Sequence, residues 1–97
     1  MDIIKPGVAG TLESSDIMIT VEPGGQGIEI DLQSIVEKQF GGEIRRAILE
    51  TLAELLVEHA RIRAVDKGAL DCTIRARTKT AVYRANGADS FDWKVKA

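Results

Sequence analysis

The hydrophobic period changes once along this chain, and that change limits the folds open to it. Between Ile17 and Leu32 the apolar residues recur at every second position. Ile17, Ile19 and Val21 alternate with Met18, Thr20 and Glu22, and Ile28, Ile30 and Leu32 alternate with Glu29, Asp31 and Gln33. A period of two puts all the apolar residues of a strand on one face. Pro23-Gly24-Gly25-Gln26-Gly27 lies between the two runs and reads as a turn, so the strands are expected to pair as an antiparallel hairpin. From Glu43 the period lengthens. Ile44, Ile48, Leu52, Leu55 and Leu56 fall on one stripe, with Arg45, Arg46, Glu50, Glu54 and Glu58 elsewhere, as in an amphipathic helix packed on a core.

The flanking segments complete the pattern. Ser34-Ile35-Val36-Glu37 fits a capping box at a helix start, or else prolongs the second strand. Gly41-Gly42 is expected to interrupt whatever precedes it. Arg61 to Val65 reads as a third strand, stopped at Asp66-Lys67-Gly68. Ala69 to Asn86 is read as a second helix with Leu70, Ile74, Ala81 and Ala85 on its buried face, although Thr73, Thr78, Thr80 and Val82 lower its propensity. Asn86-Gly87 ends it. The expected architecture is α+β, with a small sheet of about three strands and two helices on one face, in the order β-β-α-β-α. Residues 1–15 are rich in Gly, Ser and Thr and read as a flexible, exposed opening segment. Residues 88–97 read as a polar tail holding Phe91 and Trp93.

At 97 residues the chain has room for one domain. With 4% aromatic and 44% apolar residues, its core must be aliphatic and small. The net charge of −2 gives no overall attraction to nucleic acid or anionic membrane. The charge is nonetheless uneven. Residues 1–37 hold Asp2, Glu13, Asp16, Glu22, Glu29, Asp31 and Glu37 against Lys5 as the one base, and the remainder is net basic. The expected consequence is that neighbouring faces neutralise one another in the fold. No apolar run is long enough to cross a bilayer, and the N-terminus lacks the basic and apolar regions of a secretory signal. A lone cysteine, Cys72, excludes an internal disulfide and points to a reducing, cytoplasmic setting. One histidine and one cysteine exclude an all-His/Cys zinc site.

Candidates for chemistry are few. His59, near the end of the main helix, suits a structural role in which a protonated imidazole meets the helix dipole. Cys72 suits packing as a small hydrophobe. Pro23 to Gly27 lacks the Gly-Lys-Ser/Thr ending of a phosphate loop. Arg75, Arg77, Lys79 and Arg84 read as a solvated helix face, because the interleaved aromatics that stack on single-stranded nucleic acid are missing. No catalytic residue and no metal ligand is assigned. What remains is Gly10-Thr11-Leu12-Glu13-Ser14-Ser15-Asp16, where a serine in an exposed loop is open to a modifying enzyme. On spacing alone, a turn or cap before the first strand is the better fit.

Val8-Ala9-Gly10-Thr11-Leu12-Glu13-Ser14, followed by Asp16, resembles the start of the citrate lyase acyl carrier family, the gamma subunits of that enzyme. Ser34-Ile35-Val36-Glu37-Lys38-Gln39-Phe40-Gly41 and Asp66-Lys67-Gly68-Ala69-Leu70-Asp71-Cys72, with Arg75-Ala76-Arg77 after it, resemble the same family in the same order. Citramalate lyase carriers look much the same. Ordinary acyl carrier proteins, which are acidic helical bundles with an Asp-Ser-Leu motif, do not.

The resemblance implies a single acyl carrier domain over 1–97, non-catalytic, with Ser14 bearing 2'-(5''-phosphoribosyl)-3'-dephospho-CoA through a phosphodiester. Ser15 sets a second hydroxyl beside that site. It also implies as partners an alpha subunit that exchanges acetyl for citryl on the arm's thiol, and a beta subunit that, with a divalent metal, cleaves the citryl thioester. A transferase that attaches the group and a ligase that acetylates it are implied as transient partners. Nucleic acid and membrane are not. The same reading expects an unclamped Ser14 loop, with docking through the basic face of the last helix or through the tail. Two other classes remain open on the sequence: a small assembly or regulatory module without a covalent group, and a small RNA-binding domain.

Overall fold

In a computed structural model of the protein, residues 1–87 are described. They form four strands, β1 (Gly7–Ala9), β2 (Ile17–Glu22), β3 (Ile28–Ser34) and β4 (Ala60–Asp66), and two helices, α1 (Glu37–Glu54) and α2 (Asp71–Ala85). The strands make one sheet in the order β1-β2-β4-β3. The class is α+β with two layers, as the pattern of periods predicts, but the sheet has four strands rather than three.

The fourth strand comes from the opening segment. Residues 7–9 pair antiparallel with β2, Val8 opposite Thr20, so part of the expected flexible stretch is sheet. It also closes on both helices: the N-terminal amine donates to the Leu55 and Leu56 carbonyls, and the Ile4 N–H to that of Ala85. Gly7 is required where β1 meets α2, since a Cβ there would lie 2.4 Å from the Ala81 carbonyl oxygen.

The expected hairpin between β2 and β3 does not form. β4 lies between them, antiparallel to β2 (Ile19 opposite Ala64) and parallel to β3 (Ile30 opposite Ile62). Helix α1 is therefore the crossover joining two parallel neighbours. An alternating pattern identifies a strand and its buried face but not the strand beside it. The antiparallel hairpin that does exist is β1–β2, joined by residues 10–16.

The α1 helix begins at Glu37, and Gly41-Gly42 lies inside it. A glycine pair weakens a helix without ending it when packing on the core compensates. Ser34 closes β3 instead of capping α1: its hydroxyl accepts from the Val36 N–H and donates to Asp66. Ile44, Ile48 and Leu52 are buried, joined by Ala47 and Thr51, whereas Leu56 lies beyond the helix and is exposed. In α2 the buried face is Ile74, Thr78, Ala81, Val82 and Ala85. The Thr78 hydroxyl is satisfied by the Ile74 carbonyl, which makes a residue of low propensity acceptable there. Leu70 precedes the helix and is exposed.

Ile17, Ile19 and Val21 of β2 and Ile62 and Ala64 of β4 point into the same aliphatic core as both helices. The other sheet face is polar, and there the uneven charge balances. The register sets Glu29 and Glu22 on either side of Arg61, and Asp31 beside Arg63, with Arg63 3.3 Å from Glu22. No described helix is long and apolar enough to cross a membrane. The tail with Phe91 and Trp93 lies outside the described residues.

Candidate functional site

Residues 10–16 turn the chain from β1 into β2, and their geometry follows from one carboxylate. Asp16 immediately precedes the buried strand, and its side chain is only 12% exposed. A carboxylate taken out of water must be surrounded by donors. It accepts five hydrogen bonds: from the Thr11 N–H (3.1 Å) and hydroxyl (2.7 Å), from the Ile17 N–H (2.7 Å), and from Nε and Nη2 of Arg77 (both 3.0 Å). The paired arginine bonds, then the Thr11 hydroxyl, hold the carboxyl far below its usual range and outweigh the opposing effect of burial.

The main chain is fixed on both sides of the apex. The Glu13 N–H donates to the Thr11 hydroxyl and the Asp16 N–H to the Glu13 carbonyl. The Ser15 N–H donates to the Lys67 carbonyl, and the Lys67 N–H returns a bond to the Asp16 carbonyl, both at 2.8 Å. These tie the loop to the β4–α2 connection. Ser15 has φ of +65°, a left-handed conformation costing an ordinary residue roughly 1–2 kcal/mol. At Gly10 (φ +96°) a Cβ would lie 1.8 Å from the Ile17 carbonyl oxygen, so only glycine fits. Ser14 stands between these anchors. It is exposed, and neither its N–H nor its hydroxyl has a partner among the described residues. The turn expected from spacing is thus present, with an accessible serine at its tip.

A second carboxylate organises the adjoining connection. Asp66, 1% exposed, accepts from the Ser34 hydroxyl and from the N–H groups of Gly68 and Ala69. Beside it opens an apolar groove of about 360 Å³, lined in part by Val36, Phe40, Leu70 and Ile74.

Several sequence-based expectations change here. Arg75, Arg77 and Arg84 reach solvent but are also paired. Arg75 bridges Asp71 and Glu50, Arg77 grips Asp16, and Arg84 donates to the Val8 carbonyl. The contacts to Glu50, Asp16 and Val8 tie α2 to its neighbours, which leaves those arginines less free for docking than expected. His59 does not cap α1. It follows the helix, and its Nδ1 accepts from the Gly27 N–H at 2.9 Å, a bond that pins the β2–β3 turn. Cys72 is exposed rather than packed. The loop at Ser14, expected unclamped, is fixed at its base. Among the described residues no group of three or more His, Cys, Asp or Glu side chains is placed to hold a metal.

Comparison with known proteins gives this loop its context. A family model described as acyl carrier protein, malonate decarboxylase delta subunit, matches residues 4–85. The citrate lyase acyl carrier protein of Streptococcus uberis is 63% identical over 97% of this chain and 93% of its own length. That of Lacticaseibacillus casei is 58% identical over the same shares. The chain belongs to the citrate lyase acyl carrier protein family. As in other members, its own role is that of a non-catalytic acyl carrier. A chain in a Pseudomonas malonate decarboxylase hetero-tetramer solved with malonate has the same fold as this citrate lyase type carrier, at a TM-score of 0.68 and 22% identity, over 88% of this chain and 92% of that one. Homoserine kinase from Cytophaga hutchinsonii shares the fold more distantly, at a TM-score of 0.56 and 12% identity, over 88% of this chain and 35% of that one.

The residue that sequence reading passed over is Arg77. It was read as one of four exposed bases, yet it sits three positions after buried Ile74, at the border of the packed face of α2. An acid placed just before a buried strand needs a cation, and Arg77 is the one that meets it.

Proposed function

We propose that this protein carries acyl groups as thioesters on a covalent CoA-derived arm, 2'-(5''-phosphoribosyl)-3'-dephospho-CoA, joined by a phosphodiester to Ser14, within a citrate-cleaving complex. The observation that carries the reading is the exposed, unpartnered Ser14 hydroxyl at the tip of a fixed loop, in a chain of this family. A phosphodiester needs only an accessible hydroxyl that another enzyme's site can surround, and the loop fits that requirement. Ser15 is the less suitable of the two serines, because its N–H is committed to Lys67 and its backbone is already left-handed.

When bound, the arm supplies a thiol that holds the acyl group as a thioester. A thioester enolate is a better leaving fragment than a carboxylate enolate, whose existing charge resists more. The protein itself keeps one substrate tethered at high effective concentration near two active sites. Those belong to an alpha subunit that exchanges acetyl for citryl and a beta subunit that releases oxaloacetate. A transferase and an acetate ligase visit the arm in turn. The reading takes residues 1–97 as one carrier domain working in the cytoplasm, with citrate as substrate because the relatives are named for citrate lyase.

Intact-mass analysis of the chain from its native host tests this. A discrete increment for the arm is expected, mapping to the Ser14 peptide. Ser14→Ala should remain folded and unloaded, and Ser15→Ala should load normally. An adduct on Ser15, or none at all, overturns the reading.

A further inference from the structure

The five bonds on Asp16 are more than a strand cap requires. The Ile17 N–H bond belongs to the strand start, and beyond it Thr11 contributes both its N–H and its hydroxyl, and Arg77 reaches across from α2 with both nitrogens. The result is a brace across the base of the loop. Thr11 lies three residues before Ser14 and Asp16 two after it, and both Thr11 donors and Arg77 Nη2 converge on the Asp16 Oδ2. The left-handed backbone of Ser15 persists because Lys67 holds the N–H on one side and Asp16 fixes the chain on the other. Strain held by a surrounding network is characteristic of sites where geometry matters. Nothing comparable braces the β2–β3 turn, where the His59 bond and one main-chain pair to Ala60 serve.

We propose that Asp16 and Arg77 are positioning residues for modification of Ser14, with Thr11 as the strut that joins them to the loop. They hold the serine hydroxyl in one presented geometry so that the loading enzyme receives a rigid turn. In loading, the Ser14 Oγ–P bond forms as the P–O bond to the leaving phosphate of a phosphoanhydride donor breaks, and the hydroxyl proton passes to the loading enzyme. Asp16 and Arg77 take no proton and touch no reacting atom. A preformed turn raises the fraction of encounters that are productive, and small misplacements are costly in such steps. The inference rests on Ser14 being the attachment site and assigns work to residues beneath it.

The test is the steady-state loading of unmodified full-length chain by the family's transferase, followed by intact mass. Arg77→Ala and Asp16→Asn are expected to lower kcat/KM for loading by about ten- to a hundredfold. Arg77→Lys, which keeps the charge but loses the paired geometry, should recover part of the loss. Thr11→Val leaves the ion pair in place, is the safer variant for folding, and should show an intermediate loss. Arg75→Ala removes a comparable pair of ion contacts from the same helix and should load as wild type. Amide exchange of Glu13, Ser15 and Asp16 in the unloaded chain should quicken in Arg77→Ala and not in Arg75→Ala. A wild-type adduct on Ser14 with unchanged loading of folded Arg77→Ala and Thr11→Val overturns the brace alone. A wild-type adduct elsewhere overturns the attachment site and the brace together.

Discussion

Asp16 makes part of the fold's stability depend on pH. Its carboxyl is held low chiefly by the Arg77 bonds and next by the Thr11 hydroxyl. A group whose folded value lies below its unfolded value adds stability that is complete above the unfolded value and fades as pH falls toward the folded one. With an ordinary value of 3.8, the contribution is whole at neutrality and declines once the pH drops below about 4. Asp16→Asn should therefore melt lower than wild type at about pH 7, by about 1–3 kcal/mol for the lost charged bonds. The gap should narrow below about pH 4, as wild type loses the same interaction. Thermal melts of both proteins across that range check it, and a gap independent of pH would remove Asp16 as the cause. Nothing in the sequence announced this pair. The two residues are 61 positions apart, and a local pattern cannot report a long-range partner. The exposed serine loop at residues 10–16, by contrast, is legible from its contiguous run of small and polar residues.

Among the elements, β2, β3, β4 and most of α1 could be read from the sequence, since each carries several turns of an unbroken period. The failures have physical reasons. β1 is three residues long and includes a glycine, so it has no alternation to detect. The pairing of β2 was misread because a period of two is the same for a hairpin strand and for one whose neighbour arrives 40 residues later. Leu56 and Leu70 extended the helical stripes past helix ends that only the backbone reveals. The start of α1 is hidden in the sequence because Gly41-Gly42 reads as a stop. That last error suggests an experiment. Gly42 is exposed inside α1, and a Cβ added there would meet nothing within 4 Å. Gly42→Ala should raise stability by about 0.5–1 kcal/mol by restricting the unfolded chain. A melting temperature at or below that of wild type would mean that the first turns of α1 are not helical in solution.

For the whole molecule, the aliphatic core is narrow and every large residue in it counts. Leu52, in the last turn of α1, is 1% exposed. Leu52→Ala should cost about 2–5 kcal/mol. Against a total of about 5–15 kcal/mol for a typical domain, that leaves a protein partly unfolded near body temperature, visible as a lowered denaturation midpoint. An unchanged midpoint would mean that this stripe faces no core. The order of the sheet has a further consequence during synthesis. β2 emerges from the ribosome early, but its central neighbour β4 follows some 40 residues later, and β1 docks on α2, which is later still. Only the short β1–β2 hairpin can close on the nascent chain by local pairing, and the rest of the sheet waits on distant contacts. Arg77 is among the last of the described residues to appear. A growing or truncated chain ending before α2 exposes the Ser14 turn with no arginine beneath it, so the finished loop is a mark that α2 has been made.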